Sequence, residues 1–124
     1  MGNEKIQSGS IHKKENGKNG WFFGDLDSHT LPYPWRYEGM QMKWYYAHPG
    51  ECKSEAKADP KNSTITILIE GSHEVLFPDD KDKDYRMKCQ GDFVFFEPNI
   101  RHTWKAGNQG SLTITLRFPH EDLG

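Results

Sequence analysis

The sequence predicts a single all-β domain, a sandwich or barrel built from short strands. Three observations predict it. Apolar and polar residues alternate with period two in several short runs, most clearly in Ser111 to Phe118. Gly, Pro, Asn and Ser cluster between those runs. No window of ten or more residues carries a helical period. At 124 residues the chain has room for one core.

The elements follow in order. Residues 1–20 are polar and rich in Gly, Asn, Lys and Ser, which predicts a flexible N-terminal tail ahead of a domain over 21–124. Residues His29 to Gly39 are crowded with Pro and aromatics, Trp35 among them, and predict an extended packed segment. Met42 to His48 (MKWYYAH) is an apolar-aromatic strand. Thr64 to Glu70 (TITILIE) alternates, and Gly71-Ser72 reads as a turn before a further strand, His73 to Phe77. Tyr85 to Lys88, Asp92 to Phe96, His102 to Lys105 and Ser111 to Phe118 complete the set. In the last, Leu112, Ile114, Leu116 and Phe118 share one face; Thr113, Thr115 and Arg117 share the other. The aromatics Trp35, Trp44, Tyr45, Tyr46, Phe93, Phe95, Phe96 and Trp104 are read mainly as core and interface, because each buries a large area.

Composition excludes several partners. Sixteen Lys+Arg against 18 Asp+Glu give a net charge of −2, and Lys-rich stretches such as Lys81 to Asp84 are mixed with acids. No basic patch is available for nucleic acid, which needs clustered phosphate contacts. No apolar run approaches the roughly 20 residues of a membrane span. The first 20 residues, with only scattered apolar positions, do not read as a signal peptide. A soluble, cytoplasmic protein is expected. Cys52 and Cys89 allow one disulfide, but the better reading is two buried or idle thiols in a reducing cytosol.

One stretch carries a resemblance. In GDFVFFEPNIRH, Gly91 and His102 stand eleven residues apart, and Asn99 precedes His102 by three. This resembles the second motif of the cupins, with Asn99 at a position where the family has Gly; Asn tolerates positive φ better than other residues with a side chain. Pro98 falls one place late, Glu97 takes the family's Pro position, and Ala106 replaces its Asn. Gly71, after STITILIE, resembles the Gly that closes the first motif. On that alignment Thr64 replaces the Glu ligand, and the paired histidines would fall near Lys57 to Pro60, where there are none. Trp21 to Gly24 (WFFG), Lys43 to Glu51 (KWYYAHPGE) and STITILIEG also look like small stand-alone cupins of unassigned activity.

The resemblance implies a cupin-type double-stranded β-helix, a jelly-roll barrel, over roughly Trp21 to Phe118. It implies that His102 lines the barrel. It places Thr64 inside and turns Ile65, Ile67 and Ile69 outward, an apolar row that predicts a homodimer. A divalent metal is the family's usual cofactor, but three of its four usual ligands are absent here.

Candidate ligand-binding residues are His102, His48, Glu51, Trp104 and Arg117. His102 suits a metal, a carboxylate or a proton; its plainer role is a structural His beside Trp104. His48 and Glu51, in HPGE, would join His102 if their strand lined the barrel mouth, and the three with Asp59 are the candidate metal donors. The favoured reading of HPGE is a surface turn about Pro49-Gly50. His73 cannot be assigned to a face without the register. Three classes of function follow. The favoured one is a module that binds a small polar or anionic molecule in the cavity. The alternative is a cupin enzyme using His102 with Glu51 or Glu97, either a metal-dependent oxygenase or decarboxylase or a metal-free isomerase or lyase. The third is a domain that only presents surfaces. The sequence names no substrate.

Overall fold

A computed structural model describes residues 6–11, 20–25 and 37–120. The tail expectation over 1–5 and 12–19, and the packed Pro-aromatic segment with Trp35, lie outside the described residues. Six antiparallel strands form one sheet: β1 (Trp21–Gly24), β2 (Gln41–Ala47), β3 (Asn62–Leu76), β4 (Tyr85–Met87), β5 (Phe93–Phe96) and β6 (Thr103–Pro119). Their order is β1-β2-β6-β3-β4, with β5 also paired to β3. No helix among the described residues is long and apolar enough to cross a membrane.

The longest strands correct the sequence reading. The expected breaks at Gly71-Ser72 and between Lys105 and Ser111 are not turns. β3 and β6 run through both and pair along nearly their whole length, with bulges at Leu68/Glu70 and Gly71/His73. Gly71 has φ 84°, and a Cβ there would sit 2.2 Å from the Gly110 carbonyl oxygen. A residue with a side chain is excluded on both counts. The glycine bends a continuous ladder; it does not end one.

The bend makes a barrel. Thr64 and Val75 lie on the same strand, where a straight run would hold them roughly 36 Å apart at ~3.3 Å per residue. Both nevertheless line one cavity. β5 pairs with the Thr64–Ile67 part of β3 and β4 with the His73–Val75 part, so each half of the long strand serves one side of the barrel.

Alternation then sets the two faces. Thr64, Thr66, Ser111, Thr113 and Thr115 are buried inside, with His73. The apolar core is small: Leu68, Val75, Phe77 and Met87, with Val94 and Phe96 packed on it. The outer face carries cross-strand rows, Trp44–Ile114–Ile67–Phe93 and Met42–Leu116–Ile65–Phe95. Three of the aromatics expected in the core or an interface are not core. Phe93, Phe95 and Tyr46 are 57, 45 and 57% exposed, because their neighbours of opposite parity take the inward positions. Cys52 and Cys89 are free and exposed, so neither thiol is buried.

The second-motif geometry holds. Asn99 has φ 68°, the only positive φ of a non-glycine among the described residues, and its N–H donates to the Asp59 carbonyl at 2.8 Å. His102 and Lys57 exchange backbone hydrogen bonds of 3.0 and 3.1 Å. The segment where the resemblance puts paired histidines thus runs beside His102.

Candidate functional site

The barrel encloses a cavity of about 50 Å³. At ~15 Å³ for each water-sized position, that is room for three or four waters, or for a small polar head group. Threonines from the two central strands, Thr64, Thr66, Thr113 and Thr115, line one wall. Thr66 and Thr115 share a hydroxyl hydrogen bond of 3.0 Å. Thr64 pairs with Arg117 across the β3–β6 ladder. The Thr64 Oγ1 and the Arg117 Nε are both buried, and neither has a hydrogen-bond partner among the described residues.

Three cations line the cavity: Lys43 from β2, Lys53 from the β2–β3 connection, and Arg117 from β6. No carboxylate lines it among the described residues. The Arg117 guanidinium lies 4.5 Å from the Trp21 ring centre; the Lys43 Nζ lies 5.4 Å from the same centre and 5.2 Å from that of Tyr45. Such cation–π contacts soften burial without neutralising charge. Burial first, then Arg117 and Lys53, lower the Lys43 pKa to about 8. Lys53 is lowered by burial, then by Arg117 and Lys57. Asp59 is the acid whose field reaches Arg117, but its carboxylate accepts the Lys61 and Asn62 backbone N–H groups at 2.8 and 3.1 Å and the Asn62 side chain at 3.0 Å.

Two imidazoles complete the wall. His102 donates from Nδ1 to the Ile100 carbonyl at 3.0 Å, which leaves Nε2 as the acceptor of the neutral ring. Its ring centre lies 4.4 Å from that of Phe96, and burial lowers its pKa. His73 bonds Ser111 Oγ through Nδ1 at 2.9 Å and stacks on Trp104 at 5.3 Å. Burial, then Lys43, push its pKa down to about 4. At neutral pH both rings are uncharged.

Of the residues singled out in the sequence, His102, Trp104 and Arg117 line the cavity. His48 and Glu51 do not. His48 is exposed, and its backbone N–H donates to Glu51 Oε1 at 2.9 Å; the other Glu51 oxygen accepts from the Tyr45 hydroxyl. HPGE is a turn braced by its own acid. The proposed metal set of His102, His48 and Glu51 does not assemble: no group of three or more His, Cys, Asp or Glu side chains among the described residues could hold a metal ion. The cavity offers two imidazoles beside three cations, a field that repels a divalent metal. The donors present do not fit the family's metal.

Lys43, Lys53 and His73 went unrecognised as site residues. Lys43 carried a usable signal. In MKWYYAH it alternates with Met42 and Trp44, so it shares the inward face with Tyr45. Lys53 lies in an irregular segment with no period to read, and His73 lies beyond two bulges that reset the parity.

Similar solved structures define the class. The chain resembles a cupin protein from Bacteroides fragilis, with TM-score 0.64, 13% identity, and 100% of this chain and 91% of that one covered. It resembles KdgF from Halomonas sp. at TM-score 0.56, 19% identity, and 68% and 72% coverage. An RmlC-like cupin from Shewanella frigidimarina stands at 0.55, 18%, and 68% and 69%. No protein-family model and no curated protein matches the chain. The chain has the cupin fold. At these identities the likeness carries the scaffold and no activity.

Proposed function

We propose that this protein binds a small anion, a molecule bearing a carboxylate, in the barrel cavity. The observation that carries the reading is the Thr64–Arg117 pair: two buried donors with no partner among the described residues, in a cavity where those residues supply cations and no acid. A buried donor without an acceptor costs roughly 1–3 kcal/mol, and a carboxylate would accept from both at once. Lys43 and Lys53 balance its charge. Trp104, Phe96 and Val75 give the remainder of the molecule an apolar wall. The neutral His102 ring accepts a proton as the anion enters, because a nearby negative charge favours imidazolium.

The test is calorimetric titration of the full chain with acetate, lactate, succinate and inorganic phosphate at neutral pH and low salt. A carboxylate binds the wild-type chain and is weakened at least tenfold by Arg117→Met, about 1.4 kcal/mol or more. Binding of none of these anions, or equal binding by Arg117→Met, overturns the reading.

A further inference from the structure

We propose that Lys43 is a nucleophile that forms an imine with a short oxo acid, an aldehyde or ketone carrying a carboxylate, seated in this cavity. The inference deepens the anion-binding reading and rests on it.

The argument begins with where the amine is. Lys43 stands mid-strand in β2, between Met42 and Trp44 on the outer face, and is turned inward. Its contacts are ring faces, Trp21 and Tyr45; among the described residues no carboxylate or hydrogen bond holds its Nζ. A lysine retained for structure is paired or sends its head to water. This one is half-buried beside two other cations. Burial and neighbouring positive charge are the two means by which a protein keeps a lysine amine unprotonated and reactive. With its pKa near 8, on the order of a tenth of the amine is free at pH 7.

Geometry supplies the partner group. Lys43 pairs with Thr115, two residues along β6 from Arg117, so the two are diagonal neighbours on one face of adjacent strands, at a Cα spacing of about 7–8 Å. Both approach the same Trp21 ring. A carboxylate on Arg117 and Thr64 therefore leaves a carbonyl one or two carbons away within reach of the Lys43 Nζ. The small cavity selects for a short molecule of this kind.

The step balances without a co-reactant. The Nζ lone pair forms the N–C bond while the carbonyl π pair moves onto oxygen. Both amine protons then leave with that oxygen as water, and the C=N bond closes. Borohydride, added as a probe, delivers hydride to the imine carbon while nitrogen takes a proton from water. The product is a stable secondary amine.

The experiment incubates the full chain with pyruvate and sodium borohydride and maps the adduct by peptide mass spectrometry. The expected result is a borohydride-dependent adduct on Lys43, absent from Lys43→Arg, retained when the exposed Lys88 outside the cavity is changed in Lys88→Arg, and reduced at least tenfold in Arg117→Met. Lactate, which has the carboxylate and no ketone, competes with labelling. Lactate binding without a Lys43 adduct overturns the nucleophile and leaves the anion site standing. Label spread evenly over surface lysines also overturns it. If neither lactate nor pyruvate binds, both readings fall.

Discussion

Thr64 and Arg117 face each other across the β3–β6 ladder, and each brings to the cavity a buried polar atom that no described residue bonds. The two donors have different consequences. Thr64→Val removes a hydroxyl that is unpaired in the free protein, so its unliganded stability should hold or rise slightly. The same change should weaken carboxylate binding by about 0.5–1.5 kcal/mol, roughly two- to tenfold. Denaturant unfolding with and without ligand separates the two effects.

Lys43 should cost the fold stability at neutral pH. Its folded pKa, about 8, lies below the ordinary value of 10.5, so the unfolded chain holds the proton more tightly. The penalty is fully present below pH 8 and fades as pH rises toward 10.5. Lys43→Met should therefore stabilise the protein at pH 7 by about 2 kcal/mol, after allowing for lost cation–π contacts. The gain should shrink at pH 10. Urea unfolding at the two pH values reads this directly, and equal gains at both would remove burial of the charge as the cause.

His73 sets an acid limb. Its folded pKa of about 4 lies below the ordinary 6.5. Stability is thus unaffected by this group above pH 6.5 and falls as pH drops from there to 4, by up to about 3 kcal/mol. His102 is shifted the same way and adds to the slope. His73→Gln should flatten the profile between pH 6.5 and 4. An unchanged slope would place the acid sensitivity elsewhere.

The outer face bears on assembly. Ile65, Ile67 and Ile69 are half-buried, with Phe93 and Phe95 beside them exposed. Extended apolar sheet faces of this kind are rarely left in water. The proposed homodimer uses this face, and sedimentation should find a dimer at micromolar concentration. Phe93→Lys with Ile67→Lys should give a folded monomer. A monomeric wild-type chain would refute the pairing.

Much of the architecture was legible because its signals are local. Alternation in Ser111 to Phe118 separated Thr113, Thr115 and Arg117 from the apolar face, and the cavity uses all three. Asn99 took the left-handed conformation its position in GDFVFFEPNIRH implied. The continuity of β3 and β6 was not legible. Gly71 marks a turn and a bulge with the same letter, and only Gly110 on the opposing strand decides between them. The cationic character of the site was hidden for a related reason. Lys43, Lys53 and Arg117 come from three separate segments, and neither spacing nor net charge reveals that they share one cavity.

A crystal structure of the protein grown with lactate tests the central claim most directly. The account predicts the carboxylate inside the barrel, one oxygen within hydrogen-bond distance of Arg117 Nε and Thr64 Oγ1. A ligand bound only outside the barrel, or an Arg117 turned away with the cavity closed by apolar side chains, would contradict it.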